Sequence, residues 1–529
     1  MSTAEPMVNA PPATPSAQSW RKWIIAITVS FGAILEIIDT SIVNVALPDM
    51  QGNLGATLSE IGWVITGYAV ANAIIIPLTA WLGDYFGRKR YWVFSLIGFT
   101  AASVLCGIST NLPMLVAARI LQGLFGGGLL AKAQSILFET FPPAEQGIAQ
   151  AIFGIGVIVG PVIGPTLGGY LTDTLGWRWI FFINIPFGIL AVATSMIFLP
   201  EMKSKPVGSS VDWWGIVLLT VAIGSLQTFL EQGEQYDWFG SSLIVTLGVV
   251  AILTLGLFIW RELATDHPAV DLRVLRHKSL AAGSLYSAIL GMGLYGALFA
   301  IPIFAQNFLN YTAMQTGMLL LPGALASAFM MPILGKLVSK FDARLIIGTG
   351  ALLTALVMFW LSHLNPNSGE SSLFGPLLMR GVATTLMFLP LSMATIGPLP
   401  REDIPAASGF YNLSRQLGGS IGIAGITTFL SQRENYHRSI LVSNIDAFNQ
   451  TAQSYINQTT AMFQAHGFDP VAAHLQAMKV VDGVVNRQSA VMSFADIFWI
   501  VGIIFIFSTP LLFFLGKGAG SKDAAANVH

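Results

Sequence analysis

Long apolar runs separated by short polar breaks dominate the chain, and their lengths set the first expectation. A run of roughly 18 to 25 apolar residues is long enough to cross a bilayer as a helix. Such runs fall at 23–48, 61–82, 91–110, 112–137, 147–172, 178–199, 212–231, 241–260, 281–306, 313–338, 343–363, 372–397, 405–430 and 493–516. The pattern predicts about fourteen crossings and an all-α polytopic membrane protein. Residues 1 to about 20, rich in Ala, Pro and Ser, read as a tail. No short apolar core with a cleavage site precedes the first crossing, so a removable signal peptide is not expected. A polar linker at 201–211 and a basic segment at 261–280 bracket crossings seven and eight. A long polar segment, 431–492, is expected outside the bilayer as a cap over the exit or as a docking surface. Asp469 and Pro470 are placed to start a helix within it.

Composition agrees with this pattern. The 529 residues are 54% hydrophobic and 10% charged, against roughly 25% charged in an ordinary soluble domain. A net charge of −1 offers nothing to attract nucleic acid. The single cysteine, Cys106, excludes an intrachain disulfide and a cysteine metal cluster. No histidine lies at the centre of an apolar run, so neither a metal site nor a histidine proton relay is expected in the membrane. Lys and Arg are strongly one-sided. Arg88, Lys89, Arg90, Lys203, Lys205, Arg273, Arg276, Lys336, Arg344, Arg401, Lys517 and Lys522 share one side, and Arg178 alone stands in the short loops opposite. That asymmetry predicts cytoplasmic termini at both ends.

The two ends of the chain resemble one another. FPPAEQGIAQAIFGIGVIVGPVIG, from Phe141, aligns with LPREDIPAASGFYNLSRQLGGSIG, from Leu399, pairing Gly160 with Gly418 and Gly164 with Gly422. Arg119 and Arg380 sit similarly early in their crossings. Parallel repeats of this kind are a transporter signature. They divide the chain into a tail at 1–22, a six-helix half at 23–200, two inserted crossings within 201–280, a second half at 281–516 and a tail at 517–529. Within the first half, Gly156, Gly160, Gly164 and Gly168 recur every fourth residue, with Gly169 beside them. They form a smooth stripe that a second helix can approach closely. Pro161 and Pro165 remove backbone donors there and should bend the helix.

Chemistry inside the membrane is sparse. Glu36 and Asp39 lie near the middle of the first crossing, at an i, i+3 spacing that places both on one face. A charge at mid-bilayer costs about 2.5–3.5 kcal/mol on insertion scales, which makes these carboxylates functional candidates. As a coupled pair they could share one proton and serve proton coupling. The buried arginines, Arg119, Arg380 and Arg415, each need a counter-charge or a wet cavity. Lys132 is expected to snorkel toward the cytoplasmic face. The loop GDYFGRKR carries Gly83, Asp84, Gly87, Arg88 and Lys89. Its charges could pair across the cytoplasmic mouth, or serve only as a positive-inside anchor. No phosphate-binding loop of the form GxxxxGK[ST], no GxSxG and no HExxH occurs, so neither an ATP-driven pump nor an embedded hydrolase is supported.

These features together resemble the major facilitator superfamily, and within it the fourteen-helix drug:proton antiporters. LGDYFGRK is similar to the family's loop between helices two and three, with Ala80 where glycine is usual. LVAARILQG, with Arg119 and Gln122, is similar to its helix-four motif, GVIVGPVIGPTLGG to its antiporter motif, and IIDTSIVNVALP, with Asp39, to its helix-one motif. Glu36 lies outside that last motif. WVITGYAVANAIIIPLTAWL and WRWIFFINIPFGI extend the resemblance to the EmrB-type inner-membrane exporters. The resemblance implies two six-helix bundles plus two extra helices, with crossings one, four, five, nine, twelve and thirteen lining a central cavity. It implies export of small lipophilic drug-like compounds against protons, without a cofactor. It also implies a periplasmic membrane-fusion adaptor and an outer-membrane channel as partners. A carrier for one specific metabolite would use the same fold.

Overall fold

The computed structural model describes residues 15–202, 211–309, 311–365, 368–446 and 448–516. Lys203, Lys205, Lys517 and Lys522, expected on the cytoplasmic side, and the segment 1–14 lie outside the described residues. The helices of the first group are α1 (Pro15–Leu54), α2 (Leu58–Ile61), α3 (Trp63–Phe86), α4 (Arg88–Gly107), α5 (Leu112–Gly126), α6 (Leu129–Thr140), α7 (Pro143–Leu175), α8 (Trp179–Phe182) and α9 (Asn184–Phe198). Then come α10 (Trp213–Gln232) and α11 (Ser242–Ala264). The second group is α12 (Lys278–Phe308), α13 (Ala313–Leu337), α14 (Ala343–Leu361), α15 (Glu370–Ile396), α16 (Ile404–Ser443), α17 (Gln450–Ala465) and α18 (Pro470–Ser508).

Among the described residues, 13 helical stretches are long and apolar enough to cross a membrane. The fourteenth expected crossing, 405–430, lies in α16. It is long enough, but Ser408, Asn412, Arg415, Gln416 and Ser420 lower its hydropathy. Those side chains are buried or half-buried against α3, α6, α10 and α12 rather than turned to lipid. At about 1.5 Å per residue a 40-residue helix is about 60 Å long, twice the hydrocarbon core. Helix α16 is therefore too long to lie wholly within a bilayer, and it runs on past the expected crossing at 405–430 toward the start of α18. Arg433 and His437 of α16 both reach Asp496 of α18, at 2.6 and 2.8 Å, and tie the two extensions together. The segment 431–492 is thus continuous with two spanning helices, with α17 packed on α18. Asp469 does cap α18, accepting from the amides of Val471 and Ala472.

The fourth crossing departs from expectation. It is predicted as one helix at 112–137, but breaks at Gly127–Gly128 into α5 and α6. Gly128 has φ +78, a conformation that side chains disfavour, and a Cβ there would collide with Thr79. The break exposes fresh backbone N–H groups at the start of α6, deep in the protein.

The glycine stripe packs on α1. A Cβ at Gly160 would stand 2.8 Å from Ile37, and one at Gly168 2.8 Å from Ile42; Gly156 and Gly164 meet Ile34 and Ser41 as closely. Helix α7 continues through Pro161 and Pro165, and Gly169 is buried within it. Its other side abuts α13, where a Cβ at Gly335 would lie 2.8 Å from the Gly147 carbonyl. The second group repeats the first contact: Gly418 and Gly422 of α16 press on Ala288 and Met292 of α12. Gly160→Leu is expected to separate α1 from α7, at an overpacking cost of about 1–3 kcal/mol. Transport should be lost while the protein still inserts, as a vesicle uptake assay beside a membrane-fraction blot would read; full transport would remove the close-packing argument.

Candidate functional site

Glu36 and Asp39 stand on one helix but enter two separate networks. Asp39 is fully buried. Its Oδ2 accepts from Arg119 Nη1 at 2.5 Å, and its Oδ1 accepts from Gln122 Nε2 and Asn184 Nδ2, each at 2.9 Å. Arg119 also donates to Gln122 Oε1 at 2.7 Å and to the Val64 carbonyl at 3.2 Å, and lies 4.1 Å from the Tyr68 ring centroid. Ser103 accepts from Gln122 and Asn184. Helices α1, α3, α4, α5 and α9 are joined by this set. Its charges cancel in pairs, and the donors on Asp39 fill both carboxylate oxygens.

Glu36 is also buried, but among the described residues no Lys or Arg side chain lies within ion-pair distance of it. Its Oε1 accepts from Asn72 Nδ2 at 2.7 Å, and its Oε2 from the backbone N–H of Leu130 at 2.9 Å. Leu130 is the second residue of α6, so the broken fourth crossing aims a helix N-terminus at this carboxylate, where the dipole favours negative charge. Lys132 and Arg415 act on Glu36 electrostatically from farther away. The Oδ1 of Asn72 is buried and has no partner. Turning the Asn72 amide over would present that oxygen to a protonated Glu36. Glu36 therefore has a hydrogen-bonded arrangement for each protonation state, whereas Asp39 has the Arg119 guanidinium as its counter-charge.

Across from Glu36, Arg415 of α16 donates to Asn412 Oδ1 at 2.5 Å, while its Nε and Nη1 have no acceptor. Asn412 donates in turn to Gln134 Oε1 of α6 at 2.7 Å, linking the two groups of helices. Arg380 sits apart. It lines a small cavity with Leu290, Leu294, Met358, Thr384 and Met387, and its Nη1 is unpaired.

The structure thus unites Asp39, Arg119 and Gln122, gives Glu36 the partners Asn72 and Leu130, bonds Arg415 to Asn412, and leaves Arg380 elsewhere. The two carboxylates do not touch, so they share no proton directly. An i+3 step turns about 300° and climbs about 4.5 Å, enough to face different neighbours. Lys132 does not snorkel: its Nζ donates to Ser95 Oγ at 2.6 Å and lies 4.1 Å from the Tyr91 ring, partners that hold it inside. In the loop, Gly87 has φ +87, and Gly83 packs near Arg88. Arg88 pairs with Asp84 at 3.2 Å and with Glu139 of α6 at 2.7 Å, so its ion pairs stay within the first group. Lys89 donates to the Met196 carbonyl. Sequence reasoning passed over Asn72, Gln134, Asn184 and Asn412. Their signal was an amide inside an apolar run.

Residues 29–423 match the Major Facilitator Superfamily. The chain is 34% identical over 507 residues to the multidrug export protein EmrB of Escherichia coli strain K12, covering 96% of this chain and 98% of that one. It is 32% identical to the fatty acid resistance protein FarB of Neisseria gonorrhoeae, covering 96% and 97%. Among solved structures it is similar in fold to the proton:xylose symporter XylE, at a TM-score of 0.61 and 14% identity, covering 96% and 99%.

Proposed function

The chain belongs to the major facilitator superfamily, a family of multi-pass membrane transporters, and on that footing we propose that it is a proton-driven exporter of lipophilic compounds. Its place is the bacterial inner membrane, with both termini in the cytoplasm. The relatives' names, for multidrug export and fatty acid resistance, support the cargo class. The observation that carries the coupling is Glu36, a buried carboxylate without a counter-ion among the described residues, held by an amide that can serve either protonation state.

A carboxylate of this kind is neutralised by a proton, whereas Asp39 is neutralised by Arg119. Glu36 is accordingly the proton carrier, and Asp39, Arg119 and Gln122 form the frame that fixes α1 against α5. Proton loss from Glu36 strengthens its bond to the Leu130 amide and its attraction to Arg415, drawing the second group of helices inward. Proton gain relaxes both. Arg415 is then free to meet cargo, and the halves rock about the central cavity. The cytoplasmic loop, through Arg88, Asp84 and Glu139, braces the first half during that motion.

Cargo passes outward to a membrane-fusion adaptor and an outer-membrane channel. The extended ends of α16 and α18, with α17, are the docking surface, supported by the exposed Phe448, Val471 and Leu475. The test of the function is uptake into inverted liposomes of a lipophilic dye and of a long-chain fatty acid. Accumulation that requires an imposed pH gradient is the expected result. Equal flux with no gradient would instead identify a carrier for a metabolite.

A further inference from the structure

A third membrane carboxylate lies where the inserted helices meet both halves. Glu231, at the end of α10 opposite the basic loops, is partly exposed. Its Oε1 accepts from Gln227 Nε2 at 2.9 Å and from Ser420 Oγ of α16 at 3.1 Å. Gln227 Nε2 also donates to Ser420 at 2.6 Å, closing a triad between α10 and α16. One residue on, Gln232 donates to Thr66 of α3 at 2.7 Å, and Trp238 donates to Thr428 of α16 at 2.9 Å. Helix α10 is therefore bonded to the first half through α3 and to the second through α16. Two inserted crossings that served only as a tether would need no such buried polar contacts in lipid.

We infer that Glu231 is a second proton-binding group, loaded from the side opposite the basic loops, and that its protonation releases α10 from α16. The inference rests on the proton-driven reading above but concerns a different carboxylate. No charged group acts on Glu231 among the described residues. On the helices packed against α10, the charges are directed elsewhere. Asp84 of α3 pairs with Arg88, Arg261 of α11 with Asp212, and Glu262 accepts from the Val270 amide. On α16, Arg415 bonds Asn412 and Arg433 bonds Asp496, while Glu434 is nearly four turns (about 3.9) beyond Ser420. Glu234 and Asp237, beyond the end of α10, are exposed.

The triad has its own acceptor in reserve. Gln227 Oε1 is buried without a partner. With Glu231 ionised, the amide donates to both the carboxylate and Ser420. With Glu231 protonated, its O–H donates to Gln227 Oε1 once the amide turns over, and that turn withdraws Nε2 from Ser420. Loss of the charge also weakens what Ser420 donates, since bonds to ionised acceptors are the stronger ones. The same carboxyl–amide device, with the same orphan oxygen, holds Glu36 to Asn72.

The experiment is a distance measurement by double electron–electron resonance on the full chain in nanodiscs, with spin labels at Phe239→Cys and Gln432→Cys. Cys106, the one native cysteine, is buried and leaves the introduced pair as the labelled sites. The distance should lengthen as the pH is lowered from about 8 to about 5, across the carboxylate range. Glu231→Gln should hold the long distance at both pH values. Ser420→Ala should shift the high-pH distribution toward it. A pH response unchanged in Glu231→Gln, or absent from the wild type, would overturn the inference. Absence of gradient-driven accumulation in liposomes would sink the export reading instead, and the distances would stand apart from it.

Discussion

Glu36→Gln is expected to abolish gradient-driven export while leaving insertion and gradient-independent substrate exchange intact. The substitution keeps shape and hydrogen bonding. Its carbonyl oxygen can accept from the Leu130 amide, and its amide can donate to Asn72 Oδ1, which is now unpartnered. What it removes is the exchangeable proton. The variant is fixed in the neutral form, so the attraction toward Arg415 cannot be switched on and the cycle stalls with one access state preferred. Exchange of labelled for unlabelled substrate does not need the proton step. A loss of uphill accumulation by at least about tenfold, equivalent to about 1.4 kcal/mol, is the scale expected. Retained uphill export would place the proton elsewhere.

Arg119→Leu is expected to destabilise the folded protein more than any other single change at the site. Asp39 would be left buried without its cation. Removing one partner of a buried pair typically costs about 3–5 kcal/mol, most of it the penalty on the charge left behind. Thermal unfolding in detergent should show a marked fall in stability. Adding Asp39→Asn to Arg119→Leu should recover part of it, because the orphaned charge is then gone. A double variant less stable than Arg119→Leu alone would show that Asp39 is supported by something other than Arg119. The comparison is a double-mutant cycle, and residues in one network give non-additive values.

Most of the architecture was legible in the sequence because a bilayer demands helices and sets their length. Even α16, below the apolar threshold, was readable as a crossing. The Gly160–Gly418 register aligned it with α7, and the Gly418 contact on α12 mirrors the Gly160 contact on α1. The fourth crossing was readable too, but its break was not. Gly127–Gly128 in an apolar run reads as another small-residue packing site, and only the approach of Thr79 from α3 makes it a break. That break decides the site. It puts the Leu130 amide on Glu36, and α6 as it runs on carries Lys132 to Ser95 instead of to the surface. Glu36 and Asp39 could be found as carboxylates in oil, yet their division of labour could not. It depends on Arg119, Gln122 and Asn184 converging from two helices on Asp39, and on Asn72 reaching Glu36. Glu231 was hidden for a simpler reason. At the last position of its apolar run it reads as a boundary residue, until Ser420 arrives from a helix 189 positions away.

The most direct test of the account is the proton count on substrate binding. Weakly buffered purified protein in detergent is mixed with a lipophilic substrate, and the pH change is followed with an indicator dye. The wild type should release protons and Glu36→Gln should release none. Release that persists in Glu36→Gln but disappears in Asp39→Asn would contradict the assignment and return the proton to the arginine-bound carboxylate.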